Sequence, residues 1–197
     1  MNFYSDVILN DIIDNQPLET VLDSIQNFGE KCFNTIAKYS HHNIHHKYIF
    51  NVLGNTKNII AFHCIDNEFS LENCPSMLVY RKYKIKCNHT DKLEIRYYVL
   101  IACTKRKFRN QGYASKLLDG FIKRIKKENE NIPECTLKII LSSVEESVLF
   151  YESYGFKWTR EPITEHPLLM RFERYDPKKE YFIMVFNIHL YTVEDFN

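Results

Sequence analysis

From Pro17 onward, apolar residues recur at helical spacing at Leu18, Val21, Leu22, Ile25, Phe28, Cys32, Phe33 and Ile36. They predict a helix that Pro17 can open and that Gly29 can interrupt. Two β-rich runs follow, Tyr48 to Leu53 and Ile59 to Ile65, joined by the turn-forming Gly54-Asn55-Thr56-Lys57-Asn58, and they predict a hairpin. A second pair, Met77 to Lys86 and Leu93 to Cys103, is rich in Tyr, Val and Ile and is divided by the polar Cys87-Asn88-His89-Thr90-Asp91. The four runs together predict a meander.

Beyond these runs the period returns to 3.6. Ala114, Leu117, Leu118, Phe121, Ile122 and Ile125 form one apolar stripe, with Lys116, Asp119, Lys123 and Lys126 facing away, which predicts a helix over 114–127. After Pro133, the run Thr136 to Leu141 reads as a buried strand. Ser143 to Glu146 match a capping box, so a second helix is expected to carry Val144, Val148, Leu149 and Tyr151 and to end at Gly155. Strands around Phe156 to Thr159 and Tyr181 to Ile188 bracket a long Pro-containing loop.

A chain of 197 residues with 45% hydrophobic and 26% charged content and only 5 Gly and 6 Pro fits one folded domain over 1–197, with a helical segment over 1–46. The net charge of +1 argues against a large nucleic-acid or membrane footprint. Lys123-Arg124-Ile125-Lys126-Lys127 reads as a solvated helix end, whereas Lys105-Arg106-Lys107-Phe108-Arg109 leads into a glycine loop. The six cysteines form no Cys-x-x-Cys pair, and the start lacks a basic and then apolar leader. With no apolar run near the roughly 20 residues of a membrane span, the expectation is an intracellular, cytoplasmic protein with reduced thiols. His41-His42-Asn43-Ile44-His45-His46 offers His pairs at i and i+4, but no Cys pair or carboxylate cluster adjoins it. No metal site is expected there.

The loop Arg109-Asn110-Gln111-Gly112-Tyr113-Ala114 precedes the first strongly amphipathic helix after the strands. The first N–H groups of a helix lack carbonyl partners and the dipole adds roughly half a positive charge, so an anion bound there satisfies both. A glycine lets the main chain approach that anion closely. Together with Leu149-Phe150-Tyr151-Glu152-Ser153-Tyr154-Gly155-Phe156, the pattern Arg109-x-x-Gly112-x-Ala114 resembles the GNAT superfamily of acyl-CoA-dependent N-acetyltransferases. The resemblance covers about Tyr48 to Ile188 and is most specific from Leu93 to Phe156.

The resemblance implies an α/β (α+β) fold with a central mixed, mostly antiparallel twisted sheet of six to seven strands flanked by helices. It implies that the amides of Arg109, Asn110, Gln111, Gly112, Tyr113 and Ala114 bind the pyrophosphate of acetyl-CoA. The backbone of Ala102, Cys103 and Thr104 would pair with the pantetheine arm, admitted where strands 93 to 103 and 136 to 141 splay. Tyr151 would protonate the departing thiolate, since a phenol with an ordinary pKa near 10 is protonated at neutral pH. The alternative is a core aromatic on the stripe with Val148. Val144 stands where many members carry a cofactor-contacting Asn; Ser142 or Ser143 can substitute, although capping alone accounts for Ser143.

Attack on the thioester needs a neutral amine and so a proton acceptor. Glu94 is the candidate on the strand 93 to 103, with Tyr98 on its face, and its alternative is an ion pair with Arg96 or Lys92. The implied activity is transfer of an acetyl group from acetyl-CoA to a primary amine of a small molecule, a protein lysine or an N-terminus, by direct attack with no metal and with Cys103 structural. The other reading is an inactive acyl-CoA-binding module of the same fold. A nucleotide-binding α/β protein fits less well, because no Gly-x-x-x-x-Gly-Lys-Ser/Thr loop is present. Acceptor-lining candidates are His41 to His46 and, in the stretch 160–179, Glu161, Glu165 and Glu173.

Overall fold

The computed structural model describes residues 6–9, 48, 49, 52, 55, 57–65, 73–86, 93–132, 135–172 and 180–189. The elements run β1 (Asp6–Leu9), β2 (Ile59–His63), β3 (Ser76–Lys86), β4 (Leu93–Thr104), α1 (Tyr113–Asn129), β5 (Cys135–Val144), α2 (Glu145–Tyr154), β6 (Lys157–Trp158), α3 (Pro167–Phe172) and β7 (Tyr181–Ile188). The strands form one sheet in the order β1-β2-β3-β4-β5-β7-β6. Among the described residues, β1 with β2 and β4 with β5 pair in parallel and the other four pairings are antiparallel. This is the mixed, mostly antiparallel sheet flanked by helices that the sequence implied.

Runs rich in Val, Ile, Leu and Tyr suit strands covered on both faces, and both faces of this sheet are covered. On one side the α1 stripe Leu117, Leu118, Phe121 and Ile125 packs on Tyr80, Ile95, Tyr97, Leu137 and Ile139. Each fully buried apolar side chain of the stripe contributes about 1.5–3 kcal/mol, which outweighs the roughly 1 kcal/mol that Gly120 costs the helix. On the other side Ile49, Val52, Leu168 and Leu169 cover Phe62, Met77, Val79, Tyr98, Ile140 and Ile183.

Several expectations need correction. The hairpin expected from 48–53 and 59–65 does not form: Tyr48, Ile49 and Val52 are helical, and β1 takes the place beside β2. Ile49 and Val52, three residues apart, lie on one face of that helical stretch and are fully buried, whereas a short apolar run looks alike in strand and buried helix. The antiparallel meander is therefore β2-β3-β4 alone. The capping box also fails, because β5 continues to Val144, which is the N-cap of α2 without a side-chain hydrogen bond. Ser143 instead stays in the strand and donates its hydroxyl to the Val144 carbonyl at 3.0 Å. Leu149, expected on the apolar stripe, is 77% exposed. The helix expected from Pro17 and the run His41 to His46 lie outside the described residues, as does Glu173.

Candidate active site

The site begins where the central pairing breaks. In β3 and β4, Tyr80 pairs with Val99 and Val79 with Ile101, so Leu100 stands unopposed as a β-bulge. At the same level the parallel pairing of β4 with β5 ends, at Val99 with Leu141, although β4 runs on to Thr104 and β5 to Val144. Past the bulge, Ala102, Cys103 and Thr104 keep β3 on one side through Leu78, Met77 and Ser76 and, among the described residues, have no strand on the other. A strand edge without a neighbour presents backbone donors and acceptors to an extended ligand. Ala102 is exposed although it lies on a central strand. The Tyr48 hydroxyl donates to the carbonyl of the bulge residue Leu100 at 2.6 Å and fixes it from the opposite face.

The glycine loop closes the same end. The Lys105 amide donates to the Pro75 carbonyl at 2.9 Å, and Arg109 Nε donates to the Thr104 carbonyl at 3.2 Å, so the loop is tied to the ends of β3 and β4. Gln111 Nε2 adds a bond to the Lys107 carbonyl at 2.9 Å. Asn110 and Gly112 both take the left-handed region, with φ of 61° and 78°. Gly112 is the N-cap of α1, no side chain caps that end, and a Cβ at Gly112 would meet nothing within 4 Å. The first helical bond runs from the Lys116 amide to the Gly112 carbonyl, which leaves the amides of Tyr113, Ala114 and Ser115 ahead of it. Phe108 and His63 pack on the Tyr113 ring at 5.5 and 5.7 Å and hold this terminus in place. Burial, aided by Lys107, lowers the Lys105 ammonium to about 8.

Tyr151 projects from α2 and its ring packs edge-on against Phe150 and Phe156. Burial, reinforced by the neighbouring Cys103, pushes its phenol up to about 12. The phenol of α2 thus lies within electrostatic reach of Cys103 at the end of β4. The left-handed C-cap Gly155, φ 106°, fixes the helix end, with the Phe156 amide bonded back to the Tyr151 carbonyl at 2.9 Å. Tyr154, one turn on, donates its hydroxyl to Asp119 of α1, and burial with that bond raises its phenol. The two tyrosines therefore divide, one toward β4 and one into a tie between helices. Of the serines on β5, Ser143 is spent on Val144, whereas the buried Ser142 hydroxyl oxygen has no partner among the described residues.

Glu94 is placed elsewhere. Eight residues at roughly 3.3 Å each separate it from Ala102, about 26 Å along the strand. It accepts from Lys138 Nζ at 2.6 Å and from Arg96 Nε. Although burial alone would raise it, those bonds hold its carboxyl below the usual carboxylate range. The ion-pair alternative describes this residue, which lies far along β4 from the bulge end.

Sequence reasoning missed Tyr48, whose run looked like a strand, and the bulge at Leu100, which has no residue signature. It also missed His166, whose ring is buried against Tyr98 at 6.0 Å and bonded through Nε2 to Glu161 at 2.9 Å. Only the tertiary fold brings that loop to β4. Among the described residues no group of three or more His, Cys, Asp or Glu is placed to hold a metal, and no helix is long and apolar enough to cross a membrane.

Residues 76–170 match the family described as an acetyltransferase (GNAT) domain. Among solved structures the chain is similar to GCN5 of Tetrahymena, with a TM-score of 0.55 and 14% identity over 83% of this chain and 90% of that one. It is also similar to NAA60 of Arabidopsis thaliana in complex with a bisubstrate analogue, with a TM-score of 0.56 and 12% identity over 83% and 95% of the two chains. The ribosomal-protein-S18-alanine N-acetyltransferase of Escherichia coli aligns over 85% of this chain and 92% of its own, with a TM-score of 0.52 and 12% identity. No curated protein sequence matches. The matched stretch holds the split strands, the glycine loop and Tyr151, and over it the chain is similar to the GNAT acetyltransferases.

Proposed function

We propose that this protein transfers an acetyl group from acetyl-CoA to a primary amine by direct attack. The observation that carries this reading is the coincidence of three features at one sheet end: β4 and β5 part after Val99 and Leu141, α1 presents its uncapped N-terminus there, and Tyr151 lies within electrostatic reach of Cys103. The residues fit acetyl-CoA. The amides of the loop Arg109 to Ala114 and the first turn of α1 suit a pyrophosphate, and the open space at Gly112 lets it approach the main chain. Backbone groups of Ala102, Cys103 and Thr104 suit the amides of the pantetheine arm, as an added strand would. The partnerless Ser142 hydroxyl, on the other wall of the split, is a further polar group for the ligand. NAA60 of Arabidopsis thaliana is known in complex with acetyl-CoA, which supports the assignment of this split to the same co-substrate.

Tyr151 supplies the proton that the thiolate takes as it leaves. A phenol held near 12 keeps its proton at neutral pH and gives it up only when a strong base develops beside it. Acceptors of this chemistry are primary amines of small molecules, lysines or N-termini. The test is calorimetry with acetyl-CoA, followed by thiol release in the presence of a panel of polyamines, amino acids and short peptides. One bound acetyl-CoA per chain and amine-dependent thiol release support transfer. Binding with no release on any amine favours the acyl-CoA-binding module instead.

A further inference from the structure

Resting on the acetyl-transfer reading, we propose that His166, oriented by Glu161, is the general base that takes the proton from the acceptor amine. His166 is 3% exposed. Its Nε2 lies 2.9 Å from Glu161 Oε2. A carboxylate only accepts, so Nε2 carries the hydrogen and donates it, and Nδ1 is left with the basic lone pair. That Nδ1 is buried and has no hydrogen-bond partner among the described residues. Leaving a buried acceptor unmet costs roughly 1–3 kcal/mol, so an imidazole held this way is built to receive a hydrogen from something that binds.

The surroundings place this nitrogen at the bulge end of the sheet, on the face away from α1. The ring meets Tyr98, one residue before the last β4 residue paired with β5. Tyr98 pairs with Ile140, and Ser142, two residues on, shares Ile140's face and carries the second buried polar atom of this neighbourhood without a partner among the described residues. Ser142 in turn pairs with Ile183 of β7, whose carbonyl accepts from the Thr159 amide at 3.0 Å. The Thr159 hydroxyl then accepts from the Glu161 amide at 3.1 Å. The contacts close a ring from β4 through β5 and β7 to Glu161, His166 and back to Tyr98. Two orphaned polar atoms inside one ring, beside the place where β4 and β5 part, mark the amine end of the site.

The step balances as follows. The ammonium gives one proton to Nδ1, and the neutral nitrogen attacks the thioester carbon. A C–N bond forms, the C–S bond breaks with its electron pair on sulfur, and Tyr151 protonates that sulfur. The nitrogen's second proton replaces the one Tyr151 gave, and His166 releases its own to solvent. The net change is ammonium plus thioester to amide, thiol and one proton.

The experiment measures thiol release from acetyl-CoA with the amine panel for the wild-type protein, His166→Ala and Glu161→Gln, with calorimetry of acetyl-CoA on each. The expected result is a fall in kcat of about 100-fold or more in His166→Ala, with the acetyl-CoA dissociation constant within about twofold and partial restoration by added imidazole above the enzyme-free rate. Glu161→Gln, at a half-exposed side chain that does not endanger folding, is expected to lower kcat about tenfold. Unchanged kcat in either variant, or a loss in His166→Ala that imidazole does not restore, overturns the role of His166. No amine-dependent release by the wild-type protein overturns the acetyl-transfer reading itself.

Discussion

The two ends of β4 are built from the same strand and do opposite things with their polar groups. At the Glu94 end the half-buried charges pair: Glu94 takes bonds from Lys138 and Arg96, and Lys82 and Arg124 share Glu128. The buried Tyr97 phenol there accepts a hydrogen bond from Asn129 at 2.8 Å, and the one atom of this cluster left without a partner among the described residues is the Asn129 Oδ1. At the Thr104 end the parallel neighbour is gone, Ala102 is exposed in mid-sheet, and Ser142 and His166 carry buried atoms without partners. Buried polar groups are ordinarily satisfied, and the exceptions in a folded protein mark places made for something else. The bulge at Leu100 is the boundary between the two regimes.

The largest expected break of this contrast is Gly112→Asp. It sets a side chain at φ 78° and a negative charge on the positive end of α1, and acetyl-CoA binding by calorimetry is expected to vanish. Gly112→Ala, whose Cβ meets nothing within 4 Å in the protein, separates strain from charge and is expected to retain weakened binding. Next in size, Tyr151→Phe is expected to lower turnover about ten- to ten-thousand-fold with acetyl-CoA affinity nearly unchanged. Because the phenol lies at about 12, the wild-type rate is expected to show no decline from Tyr151 ionisation below about pH 11.

At the far end the effects fall on stability. Glu94→Gln is expected to cost about 1–2 kcal/mol in denaturant unfolding and to leave turnover within twofold. The carboxyl is held below its unfolded value, so its contribution is present above the ordinary carboxylate pKa and is lost as pH falls through the folded value. Lys105, near the loop, gives a slope of the same sign for a different reason, the relief of a penalty. Its charged form is penalised in the folded state, and stability is expected to rise as pH passes from about 8 toward the ordinary lysine value. An urea series across pH reads both slopes in wild type, and the acid slope shrinks in Glu94→Gln. Smallest of all, Leu149→Ser is expected to shift stability by less than about 0.5 kcal/mol, since that side chain is 77% exposed.

The legibility of the sequence follows the same division. Long periodic stretches read correctly: the α1 stripe, the strand pair at 77–86 and 93–103, the strand at 136–141 and the Gly155 cap all stand within a few residues of expectation. They carry their own period or a glycine whose φ is positive. The split of β4 from β5 was legible through the family resemblance alone. Tyr48 to Leu53 misled because a buried helix and a buried strand demand the same side chains. Ser143 misled because a cap and a strand both tolerate Ser. The His166 and Glu161 pair, five residues apart in a loop, acquires meaning only when β7 and β4 bring that loop to the bulge.

The most direct test of the account is backbone hydrogen exchange of the whole protein with and without acetyl-CoA. The account predicts slowed exchange at the amides of 102–104 and 110–115, at the end of β4 and in the glycine loop, with no change over 93–97. Protection at the Glu94 end, or none at the loop and the end of β4, would contradict it.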